Sequence, residues 1–100
     1  MKTIHKYPLT EKKTELELPE GSTVVCVHEQ HGVPTLWIEM NLNVNAPMKK
    51  TTFEIVGTGR LLKHGNEQYI GTAFIDEFVW HVYQMIDIQD VIKDISNIDF

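Results

Sequence analysis

The stretch Thr35-Leu36-Trp37-Ile38-Glu39-Met40-Asn41-Leu42-Asn43-Val44 decides the fold class. Leu36, Ile38, Met40, Leu42 and Val44 share one face of an extended chain, and Thr35, Trp37, Glu39, Asn41 and Asn43 share the other. A period of two describes a strand with one buried and one exposed side, whereas helical spacing would scatter the same apolar residues round a cylinder. Upstream, Thr23-Val24-Val25-Cys26-Val27-His28 is rich in β-branched residues and apolar on both faces. It reads as a central strand covered on both sides. Gln30-His31-Gly32-Val33 separates the two runs, with Gly32 free to take a positive φ, so the pair forms a β-hairpin.

The same reading extends outward. Thr3-Ile4-His5-Lys6-Tyr7 alternates and stops at Pro8. Thr14-Glu15-Leu16-Glu17-Leu18 alternates and turns at Pro19-Glu20-Gly21-Ser22. Thr51 to Val56 is a strand closed by Gly57-Thr58-Gly59. Glu67 to Phe74 and Glu77 to Tyr83 form a last pair around Asp76-Glu77, with Trp80 sharing a face with Phe78 and Val82. His64-Gly65-Asn66 is a turn. Asn43 to Lys50, containing Asn45-Ala46-Pro47, is the longest loop expected and the natural place for a binding loop. Six or seven short strands at roughly ten-residue spacing predict an all-β, antiparallel sandwich or barrel over residues 1–85.

Residues 86–100 change period. Ile88, Val91, Ile92 and Ile95 are spaced i, i+3, i+4, i+7, with Asp87, Gln89, Asp90, Lys93 and Asp94 between them, which predicts a short C-terminal amphipathic helix. Asp87 is its candidate N-cap. A helix of about ten residues is not stable alone in water. The isoleucine stripe therefore has to cover one end of the β-domain or pack on another subunit.

Composition sets limits. The chain has 100 residues, 42% of them apolar, enough for one domain with a core. No run reaches the roughly 18 apolar residues of a membrane helix, and Met1 to Lys6 has no apolar signal core behind it. One cysteine excludes an internal disulfide framework. A soluble, cytosolic protein is expected. The net charge of −5 argues against sequence-independent nucleic-acid binding. Residues 65–100 hold the acidity, with Lys93 against Glu67, Asp76, Glu77, Asp87, Asp90, Asp94 and Asp99. Such a third is either a solubilising face or a docking surface for a basic partner.

Catalytic chemistry is poorly represented. His28 and His31 straddle a hairpin and point to opposite faces, with no cysteine or carboxylate in zinc-motif register, so no metal and no cofactor is expected. Cys26 lies in the most apolar stretch and reads as a packed core thiol. Ser22 and Ser96 have no nucleophile-elbow sequence around them. Gly57-Thr58-Gly59-Arg60 resembles a fragment of a phosphate-binding loop but lacks the Lys-Ser/Thr ending and the helix that would follow. It reads either as a strand-ending turn or as a place where backbone N–H groups and Arg60 meet an anion. Trp37, on an otherwise polar strand face, reads either as a contact surface or as part of a second apolar layer.

Several segments together resemble a known pattern: Met1-Lys2-Thr3-Ile4-His5-Lys6-Tyr7-Pro8-Leu9, Leu18-Pro19-Glu20-Gly21, Gly32-Val33-Pro34-Thr35-Leu36-Trp37, Gly57-Thr58-Gly59, Tyr69-Ile70-Gly71-Thr72 and Trp80-His81-Val82-Tyr83. In this order, from the first residue to about Gln84, they are similar to an uncharacterised family of small phage- and prophage-encoded β-rich proteins. The extension Ile86 to Phe100 departs from that pattern. The resemblance implies a phage accessory protein acting by binding, not an enzyme, in the host cytoplasm, and it supplies no catalytic residues. Counter-defence by sequestering a host nucleotide signal is the first reading it implies. A nucleotide site needs aromatic stacking, backbone donors and a few cations, often between subunits. Trp37, Gly57, Thr58, Gly59, Arg60 and Lys63 are the residues expected to supply it. Inhibition of a host defence or metabolic protein is the second reading, through Asp87, Asp90 and Asp94 beside Ile88, Val91, Ile92 and Ile95. A structural, oligomeric phage protein is the third. A homo-oligomer without membrane or direct nucleic-acid contact is expected.

Overall fold

The computed structural model describes residues 1–43 and 45–86, and it contains seven strands. These are β1 (Lys2–Pro8), β2 (Lys13–Pro19), β3 (Thr23–Gln30), β4 (Val33–Asn41), β5 (Met48–Gly57), β6 (Glu67–Ile75) and β7 (Phe78–Met85). Their bounds follow the alternating runs to within a few residues. All pairings are antiparallel, in a three-stranded sheet ordered β1-β4-β3 and a four-stranded sheet ordered β2-β5-β7-β6. The C-terminal helix expected from Ile88, Val91, Ile92 and Ile95 lies outside the described residues.

The two sheets enclose one core. Leu36, Ile38 and Met40 of β4 meet Leu18, Phe53, Ala73 and Val82 of the other sheet, with Leu9 and Val27 completing this cluster. Each such side chain contributes roughly 1.5–3 kcal/mol by leaving water, so the alternation read in β4 is the pattern that holds the layers together. Buried Thr35 satisfies its hydroxyl locally, donating to the Val33 carbonyl at 3.1 Å. The β3–β4 hairpin turns through His31 (φ 55°) and Gly32 (φ 77°). Two successive positive φ values match the twist that joins antiparallel strands tightly.

Four expectations are corrected. β4, not β3, is the central strand of its sheet, and β3 is an edge. A register shift between Val24 and Cys26 leaves Val25 half exposed, so β3 buries only Val27 fully. Cys26 therefore lies opposite Trp37 on the outer face, half-buried, and is not a core thiol. Apolar residues on both faces of β3 mark a bulge and an outer patch here, not cover on both sides. Leu42 lies past the end of β4 and is half exposed.

The fourth correction concerns loops. The connection before β5 is short, because β5 already starts at Met48. The long connection is 58–66. β5 and β6 both run antiparallel to β7, which lies between them, so they are parallel to each other. Parallel strands cannot be joined by a hairpin. Residues 58–66 start level with Trp80, which pairs with Gly57, and end level with Met85, which pairs with Glu67. They carry the chain back about 17 Å at the rise of a strand.

Candidate functional site

The chain order creates a cleft at one end of the sandwich. β2 begins at Lys13 opposite Glu54, so Ile55–Gly57 of β5 run on past it. The segment Leu9–Lys12 passes from one sheet to the other beside this overhang. It is pinned at both ends, where Leu9 N–H donates to the Pro34 carbonyl at 2.8 Å and Ile55 N–H donates to the Lys12 carbonyl at 2.9 Å. The crossing segment 58–66 leaves from the end of β5. The cleft, open on one side to solvent, has a volume of about 710 Å³ and is lined by both segments, by the end of β5 and by Trp80. That volume lies within the range of small-molecule sites, roughly 300–1,000 Å³.

Trp80 is the aromatic wall. It stacks on Phe78 with ring centroids 5.8 Å apart and planes 20° from parallel. It lies so close to Gly57 that a Cβ there would sit 3.3 Å from Trp80 Cζ3. The glycine is what admits the indole to this wall. Gly59, at φ 87°, sharpens the turn that follows, in which Arg60 N–H donates to the Gly57 carbonyl at 3.1 Å.

The polar lining is mixed. Lys12, Arg60, Lys63, His64 and Glu11 are among the lining residues, whereas Glu54, also at the rim, pairs with Tyr83 on the side of β5–β7 opposite Trp80. The ion pairs Lys2–Glu39 at 3.2 Å and Lys50–Glu15 at 3.8 Å lie elsewhere. Among the described residues Lys12, Arg60 and Lys63 have no carboxylate partner. The crossing segment is anchored at its far end by Glu67, whose carboxylate accepts the His64 N–H at 2.7 Å. That hydrogen bond holds the Glu67 pKa below its ordinary 4.5.

The structure brings together four of the six residues expected to bind a ligand: Gly57, Gly59, Arg60 and Lys63 all line the cleft. Trp37 does not. It lies on the outer face of the three-stranded sheet, opposite Lys6 and Cys26, with its ring edge-on to His28 at a centroid distance of 6.5 Å. Thr58 faces away as well. Its hydroxyl lies 2.9 Å from His81 Nε2, on the side of β7 opposite Trp80. His81 Nδ1 is 3.0 Å from Thr72 Oγ1, which is 2.5 Å from the Tyr69 hydroxyl. This row ties the end of β5 to β7 and β6 across the outer face. Among the described residues no three His, Cys, Asp or Glu side chains come together as metal ligands.

The sequence reading did not assign Trp80, Lys12, His64, Glu11 or Glu54 to the site. A signal for Trp80 was present, since it alternates in phase with Phe78 and Val82. Its pairing with Gly57 depends on β7 entering between β5 and β6, which local pattern does not encode. Asp87, Asp90, Asp94, Ile88, Val91, Ile92 and Ile95, expected at a partner interface, lie outside the described residues.

Among the described residues no helix is long and apolar enough to cross a membrane. Searches of curated proteins and of solved structures found no match. The family described as "Domain of unknown function (DUF7352)" matches residues 1–92, a range that contains all seven strands and every residue of the cleft. The chain belongs to the DUF7352 family.

Proposed function

We propose that this protein works by binding, and that the cleft beside Trp80 takes a small anionic ligand carrying a flat ring, of which a nucleotide is the leading class. One observation carries the reading: Lys12, Arg60 and Lys63, free of carboxylate partners among the described residues, line the same cleft of about 710 Å³ as Trp80. A planar base gains stacking energy on an aromatic ring, and a phosphate gains charge-assisted hydrogen bonds from arginine and lysine. The cations are exposed, so affinity falls as salt rises.

The resemblance to small phage proteins supports placing this activity in counter-defence, with the protein sequestering a host nucleotide signal in the host cytoplasm. Half-exposed or more exposed Tyr69, Phe74 and Phe78 on β6 and β7 support a homo-oligomer. A monomer by light scattering at micromolar concentration would count against that part. Isothermal calorimetry with cyclic and linear signalling nucleotides tests the binding. The expected result is saturable heat with at least one of them, reduced about tenfold or more in Arg60→Ala/Lys63→Ala. No heat and no thermal shift with any of them would remove the nucleotide reading.

A further inference from the structure

We infer that His81 is a positioning residue for the cleft: from the opposite face of the four-stranded sheet it fixes, through Thr58, the turn that sets Arg60 beside Trp80. This rests on the reading of the cleft as an anion site and goes beyond it. Residues 57–60 are weakly determined by their own sequence. Thr58 stands between two glycines, the residues that lose most conformational freedom on folding, and Gly59 takes a φ of 87°. The β5–β7 register ends at the Gly57–Trp80 pair, so the turn has already left that ladder. A backbone bond from Arg60 N–H to the Gly57 carbonyl, at 3.1 Å, closes it. Yet its conformation places a cation. A Cβ at Gly57 would lie 3.3 Å from Trp80 Cζ3 and 3.7 Å from Arg60 Cγ, so the indole and the arginine stem flank the same glycine. A rotation of the turn would carry Arg60 off the aromatic wall.

The restraint comes from the other side of the sheet. Side chains alternate along a strand. Thr58 accordingly follows Gly57 to the outer face, where its hydroxyl lies 2.9 Å from His81 Nε2. His81 follows Trp80 on β7, so one strand presents the wall to the cleft and the latch to the opposite side. The imidazole is held at both nitrogens, because Nδ1 lies 3.0 Å from Thr72 Oγ1, which is 2.5 Å from the Tyr69 hydroxyl. With both engaged, the ring cannot turn without losing a bond. The Thr58–His81 contact is exposed, so water competes for it. A net hydrogen bond of this class shifts an equilibrium by about three- to tenfold, and that is the size of effect expected on binding.

The test uses the full chain. Thr58→Val keeps the branched shape and removes the hydroxyl, Thr58→Ser keeps the hydroxyl, and His81→Phe keeps a ring without nitrogens. In the ligand-free protein, hydrogen exchange at the Arg60 amide should quicken severalfold in Thr58→Val and His81→Phe and stay near the parent rate in Thr58→Ser. Calorimetry with ATP and with inorganic triphosphate should show both probes weakened about three- to tenfold by Thr58→Val and by His81→Phe, with Thr58→Ser close to the parent. In an Arg60→Ala background the same changes should add nothing, because the latch acts only through Arg60. A general loss of structure would instead weaken binding in both backgrounds. Equal losses with and without Arg60, or an Arg60 amide indifferent to Thr58→Val, overturn the inference and leave the reading of the cleft standing. Heat with neither probe in the parent chain counts against that reading itself, and the inference falls with it.

Discussion

Gly57 and Trp80 face each other across the β5–β7 pair, and the indole lies where a larger residue at position 57 would crowd it. A Cβ at 57 would come 3.3 Å from Trp80 Cζ3, closer than comfortable contact by a few tenths of an ångström. Trp80 is only half-buried and can tilt to make room. Gly57→Ala should therefore change stability by no more than about 1 kcal/mol, since the strain is offset by the lower entropy of the unfolded chain. It should still move the ring that walls the cleft. The expected result is a near-unchanged melting curve with a shifted tryptophan emission and weaker nucleotide binding. An unchanged emission spectrum would show that Trp80 does not lean on Gly57.

Gly71 meets a different situation. A Cβ there would lie 2.6 Å from Val27 Cγ2 and 2.7 Å from Val27 Cβ, and Val27 is buried between the sheets. A β-branched side chain at that depth has no room to rotate away. Gly71→Ala should cost about 1–3 kcal/mol by overpacking, read as a lower midpoint in urea unfolding. Adding Val27→Ala should return part of that loss, so the two changes would be non-additive. Equal stability of Gly71→Ala and the parent would contradict the close approach of β3 to β6.

The Glu67 carboxylate fastens the end of the crossing segment by accepting the His64 N–H. Its pKa in the folded chain is lowered below 4.5, so its contribution is present above the unfolded value and fades as pH falls through the folded one. Carbon-detected NMR should show Glu67 titrating below the ordinary glutamate value. The protection of the His64 amide, its exchange rate relative to the intrinsic rate at each pH, should fall as the pH drops through that range, and in Glu67→Gln that fall should be absent. An ordinary titration midpoint for Glu67 would refute the anchoring role.

How much was legible in the sequence depends on the distance over which each feature is decided. Leu36, Ile38 and Met40 announce their strand because a pleated chain sorts alternate residues to opposite faces, a local property. The same rule placed Trp80 with Phe78 and Val82. It could not say which strands become neighbours. Gly57 and Trp80 pair because β7 inserts between β5 and β6, and long-range burial of Phe53, Ala73 and Val82 decides that insertion. The position of Trp37 shows the converse. Its exposure to the outer face was readable from Thr35, Glu39 and Asn41, but its separation from Arg60 and Lys63 required knowing that it belongs to the other sheet. Val25 and Cys26 misled because a bulge breaks the alternation that the reading assumes.

The central claim, that Trp80 and not Trp37 meets the ligand, is tested most directly by fluorescence in the two single-tryptophan variants, Trp37→Phe and Trp80→Phe. Titration with a signalling nucleotide that gives saturable heat in calorimetry should quench the emission of Trp37→Phe, which retains Trp80, in a saturable and salt-sensitive way. The emission of Trp80→Phe, which retains Trp37, should stay flat beyond the inner-filter correction. Saturable quenching of Trp37 alone, or of neither tryptophan, would contradict the account.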